Sequence, residues 1–198
     1  MKRVSEYDWG PAHIPWTVIG KGPSWKNVLK CSPPGFRMGI NDVVCEIPVN
    51  VAILSDYNYP HMARMAPHIA KNDTVVFILD DLRGNNEQGM CVHSGIPTET
   101  RTDIPWPMDL WHNRTYLFGM NREGAEVQNN HVSTVEAAVQ IILNNIPDLC
   151  QLFTCGIDGG KSYAPEFKRD HCDNVDYDRN PKALKATLAR YGRDVISW

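Results

Sequence analysis

Near the start of the chain, Gly20-Lys21-Gly22-Pro23-Ser24 combines residue types that let a backbone close on a phosphate. Glycine has no Cβ to hold a ligand off the main chain, and N–H groups at a following helix start attract anions. The spacing is neither a full G-x-G-x-x-G fingerprint nor a P-loop ending in G-K-[ST], so a tight turn after a buried strand explains it as well. Four other places set polar residues directly after an apolar run: Asn41-Asp42, Ser55-Asp56, Asp80-Asp81 and Gly156-Ile157-Asp158. Each alone reads as a cap or turn. Five on one sheet edge make a binding site. Hydrogen-bonding side chains there suit ribose and base recognition, whereas clustered aspartates suit a divalent ion held against phosphates.

The elements that must position these residues follow from the apolar pattern. Strands are expected at Trp16–Ile19, Phe36–Ile40, Val49–Leu54, Thr74–Leu79 and Leu149–Cys155. Helices are expected over Ser24–Lys30 with Ser24 as N-cap, over Pro60–Lys71, and from a Ser133/Glu136 capping box to the stop at Pro147. A last helix begins with Asn180 as N-cap and Pro181 at its first position, buries Ala183, Leu184, Thr187, Leu188 and Tyr191, and ends at Gly192. Residues 1–15 read as an irregular arm, and Asp194–Trp198 adds a terminal strand. Alternating strands and helices imply an α/β fold with a mostly parallel sheet and helices on both faces. Residues 82–128 break the pattern, with short strands at Val92–Ile96 and Thr115–Met120; so long an insertion is a lid or a surface loop.

The 198 residues fit one domain, 1–198, with a sizeable core. A net charge of −3 makes nucleic acid a poor partner, although a local basic groove stays open. No apolar run is long enough to cross a bilayer, and no apolar leader follows Met1-Lys2-Arg3, so the protein is expected to be soluble and cytoplasmic. None of the six cysteines forms C-x-x-C. Cys45, Cys150 and Cys155 read as core thiols, and Cys172 beside His171 and Asp173 is a weak metal candidate without a second cluster.

Ile19-Gly20-Lys21-Gly22-Pro23-Ser24 resembles the G-N-G-P-S motif of bacterial sialyltransferases that use CMP-sugar donors (family 42 type). It also resembles the wider MptE-like group, which includes archaeal hydroxymethylpterin diphosphokinases. Asn41 is similar to that family's nucleotide-contacting Asn, Ser133-Thr134 to its T-S-G helix start, and Leu152–Asp158 to its L-S-G-I-D strand end. His171, Asn174 and the helix Lys182–Arg190 resemble the segment carrying the sialyltransferase base. Lys21 stands where the family has Asn, and the Ser133 region lacks the family Gly.

The resemblance implies a Rossmann-like nucleotide-sugar glycosyltransferase. Gly20, Lys21, Gly22, Pro23, Ser24, Asn41, Asp56, Ser133, Thr134, Gly156, Ile157 and Asp158 would hold the nucleotide, with Lys21 favouring a nucleoside diphosphate sugar. His171 would deprotonate an acceptor hydroxyl, on a glycan or another molecule, and Tyr163 and Tyr177 would assist the leaving phosphate. That chemistry requires no metal. The MptE-like alternative is Mg²⁺-dependent diphosphoryl transfer from ATP, with Asp56 and Asp158 on the metal. A third reading keeps nucleotide binding without catalysis. Trp106 and Trp111 fit either an acceptor wall or a contact in a homo-oligomer.

Overall fold

The computed structural model describes residues 2–31, 35–54, 59–79, 113–119, 127, 133–159, 163–167, 179–194 and 196–197. Eight short strands form its centre: β1 (Lys2–Arg3), β2 (Trp16–Ile19), β3 (Phe36–Ile40), β4 (Val51–Leu54), β5 (Val75–Leu79), β6 (Thr115–Phe118), β7 (Leu152–Cys155) and β8 (Ile196–Ser197). Among the described residues four α-helices accompany them: α1 (Asn27–Cys31), α2 (Tyr59–Asn72), α3 (Thr134–Asn145) and α4 (Arg179–Arg190). The strands lie in the order β1-β6-β5-β4-β3-β2-β7-β8, every neighbouring pair parallel. From β2 the chain steps outward through β3, β4, β5 and β6, then returns to lay β7 and β8 on the other side. The direction therefore reverses between β2 and β7.

Both faces of the sheet are covered, which is why its strands are continuously apolar rather than alternating. On one face Trp16, Val18, Met38, Ile53 and Phe77 join α3 and Leu184 and Leu188 of α4 in a single core. On the other, Ile19, Ala52, Leu54 and Ile78 pack with Trp25, Val28, Met65, Ile69 and Phe167. This is a Rossmann-like α/β domain. Among the described residues no helix is long and apolar enough to cross a membrane.

Several elements differ from the sequence expectation. The N-terminal arm contains a strand: Lys2 and Arg3 pair with Tyr116 and Leu117. Behind it Tyr7 stacks edge-on with Trp9, Phe77 and Tyr116 at 5.2–5.4 Å, contacts worth about 0.5–1.5 kcal/mol each beyond burial. Burial, then the neighbouring Tyr116 and Asp8, push the Tyr7 phenol up to about 12. Ser24 is not an N-cap: Pro23–Lys26 is a 3-10 turn capped at Gly22 without a side-chain bond, and α1 follows it. The last helix starts at Arg179, one residue before Asn180. Helix α3 is buried from Val135 to Leu143, because the sheet lies on one side and α4 on the other. Cys155 is a core thiol, but Cys45 is half-buried and Cys150 exposed. Within 82–128 only 113–119 and 127 are described, and Thr115–Phe118 belongs to the sheet.

Candidate functional site

Parallel strands deliver their C-terminal ends to one edge. After β2 comes Gly20–Ser24, after β3 Asn41-Asp42, after β7 Gly156–Asp158. β2 and β7 flank the point where strand order reverses, the usual crevice for a ligand in such sheets.

Here the first and last of these loops are joined to each other. The Gly20 N–H donates to Cys155 O and the Gly22 N–H to Gly156 O, both at 2.8 Å. The Ser24 N–H donates to Asp158 Oδ2 at 2.9 Å, and the Gly156 N–H donates to Ser24 Oγ at 2.9 Å. The glycines permit this approach. A Cβ at Gly20 would lie closer than 3.0 Å to the Gly156 carbonyl oxygen, and one at Gly22 closer than 3.0 Å to that oxygen and to Asp158 Oδ2. Gly156 has φ +67°, which suits glycine alone at little cost. The space the glycines open between the loops is filled by the chain itself, so a ligand has to lie beside this junction.

Beside it, on the α2 side, is a group of charges. Lys21 Nζ lies 3.5 Å from Asp42 Oδ1 and 4.1 Å from the centre of the Tyr163 ring. The Lys21 carbonyl accepts from the Ala164 N–H at 2.8 Å, fixing the segment that carries Tyr163. Arg64 of α2 donates through Nη2 to Asp42 Oδ2. The Asp42 side chain is 5% exposed. Burial alone pushes its carboxyl up, but Lys21 and the bond and charge of Arg64 outweigh this and hold it below the usual carboxylate range. The Cys45 thiol is raised by burial, against the opposing influence of Arg64.

Asn41 opens this turn with φ +49°, a left-handed conformation uncommon outside glycine. It is 7% exposed, and among the described residues its amide oxygen has no hydrogen-bond partner. A buried orphan of this kind costs about 1–3 kcal/mol unless something supplies a donor.

Ser133 caps α3 as expected. Its hydroxyl accepts the Glu136 N–H at 3.3 Å, and Glu136 Oε2 accepts the Ser133 N–H at 3.0 Å. Thr134 follows as the first helical residue. Ile157, half-buried, lines a cleft with Thr154 of β7 and Pro181, Leu184, Lys185 and Leu188 of α4. Thus Gly20, Lys21, Gly22, Pro23, Ser24, Asn41, Gly156, Asp158 and Tyr163 share one neighbourhood. His171, Tyr177, Asp56, Asp80, Asp81 and Cys172 lie outside the described residues. Among the described residues no three His, Cys, Asp or Glu side chains converge as metal ligands. Asp158, a candidate for Mg²⁺, has one carboxylate oxygen engaged by Ser24. Arg64 was visible in the sequence only as a helical position; its partner Asp42 comes from another loop. No family model, curated protein or solved structure matches the chain.

Proposed function

We propose that the chain is a glycosyltransferase that binds a nucleotide-sugar beside the Gly20–Gly156 junction and moves the sugar to an acceptor hydroxyl. The observation that carries this reading is Asn41, whose buried amide oxygen lacks a donor at the edge where doubly wound sheets bind nucleotides. A ribose hydroxyl or a base amino group supplies that donor. The charges of Lys21, Asp42 and Arg64 next to it suit the phosphate end. Gly20, Gly22, Ser24, Gly156 and Asp158 form the rigid floor.

In the reaction the acceptor oxygen bonds to the sugar's anomeric carbon as its proton passes to His171. The bond from that carbon to the phosphate oxygen breaks, and its electron pair leaves with the nucleotide. The role of His171 rests on the sialyltransferase resemblance, and a histidine suits it because its ordinary pKa lies near neutrality. Tyr163 and Tyr177 would steady the leaving phosphate.

Calorimetry with CMP, UDP and ATP, with and without Mg²⁺, tests the binding step. A metal-independent pyrimidine nucleotide complex that Asn41→Ala weakens is the expected result. His171→Ala should then lower turnover by about 10²–10⁴ with donor affinity retained. No binding of any nucleotide would refute the reading, and ATP binding only with Mg²⁺ would replace it with diphosphoryl transfer.

A further inference from the structure

We propose that Arg64, on α2, receives the phosphate of the bound nucleotide, while Lys21 in the glycine turn is retained by Asp42. This rests on the nucleotide reading above and assigns its anionic end. A guanidinium has five N–H donors and an ammonium three. The two cations share the single carboxylate of Asp42, so donors outnumber acceptors and one positive charge of this trio is left over. The surplus sits on Arg64. Lys21 is satisfied by Asp42 and by the face of the Tyr163 ring, and only 13% of its side chain is exposed. Arg64 donates through Nη2 to Asp42 and interacts with the Cys45 thiol; among the described residues its buried Nε has no hydrogen-bond partner, and 31% of its side chain is exposed.

An unpaired buried N–H on a cation calls for an anionic oxygen. Nε lies on the same edge of the planar fork as the Nη2 that Asp42 holds, so a phosphate would meet the partly exposed remainder of the guanidinium. Asn41, immediately before Asp42, has the opposite deficit: a buried acceptor lacking a donor. A ligand with an anionic oxygen and a hydroxyl or amine donor meets both. A nucleotide offers both, whereas a free nucleoside lacks the anionic oxygen.

The test compares each of CMP, UMP, GMP and AMP with its own nucleoside by calorimetry, and takes the ratio of the two dissociation constants for the nucleotide that binds. Arg64→Lys keeps the ion pair to Asp42 but removes the second edge; Arg64→Gln removes the charge. Both should cut the ratio by about tenfold or more, the range of a hydrogen bond to a charged group, while nucleoside affinity stays as in the wild type. Lys21→Gln should lower the ratio by less than either Arg64 variant. A wild-type ratio in both Arg64 variants, or a collapse in Lys21→Gln alone, would overturn the assignment and leave nucleotide binding intact. Wild-type protein that binds none of the four would overturn the functional reading and this inference with it.

Discussion

Two glycines with the same backbone conformation allow the loop junction to be weighed. Gly156 has φ +67° and Gly192 φ +60°. Alanine at either pays for a left-handed backbone, about 1–2 kcal/mol, partly offset by about 0.4–1 kcal/mol from a less flexible unfolded chain. The surroundings differ. At Gly192 a Cβ meets nothing within 4 Å. At Gly156 it meets the Gly20 carbonyl closer than 3.0 Å and Trp25 Cβ at 3.0 Å. Neither can swing aside: the carbonyl is main chain in a buried turn, and Trp25 is 3% exposed. The overpacking adds about 1–3 kcal/mol. Gly192→Ala should therefore cost about 1 kcal/mol, and Gly156→Ala about 2–4 kcal/mol. Urea unfolding followed by tryptophan fluorescence measures both. Equal losses in the two variants would refute the claim that β2 and β7 loops are wedged together, and with it the exclusion of ligand from the gap.

Asp42→Asn should destabilise the fold by about 3 kcal/mol, the lower end for a broken buried ion pair, since Lys21 and Arg64 keep some solvent. The Asp42 carboxyl is lowered in the folded state, so its stabilisation is full above the ordinary carboxylate pKa of about 3.9 and fades as pH falls through the lower folded value. Urea midpoints between neutral pH and pH 3 should thus fall less steeply in Asp42→Asn than in wild type; parallel curves would contradict this. Ser133→Ala should cost about 1 kcal/mol through the lost cap of α3, checked by the same unfolding curves, and a change within error would mean that the Glu136 side chain suffices.

Features fixed by neighbours in sequence were readable in advance. The Ser133/Glu136 box lies within one turn, and the continuous apolar strands announced a sheet covered on both faces. Features fixed by distant partners were not. Ser24 has the composition of an N-cap, but its hydroxyl serves Gly156, which nothing near position 24 signals. Asp42 was legible as a strand-end acid, whereas its pairing with a helix residue in the next crossover had no local trace. Asn41 was singled out at a strand end and through a resemblance, and its unpartnered oxygen emerges only once the turn is built. Lys2-Arg3 has neither the length nor the pattern of a strand, and becomes one because β6 offers it an open edge.

That last pairing bears on the order in which the chain can fold. β1 and the Tyr7–Trp9 segment precede the other described strands, and their neighbours include Trp16 on β2, Phe77 on β5 and Tyr116 on β6. β1, made before β6, has no strand to pair with until residue 118 has been made. β2, β3 and β4 can meanwhile pair in the order of synthesis. β1 is thus made before its partner strand and placed only after it. Such long-range closure slows folding and exposes apolar surface to other chains.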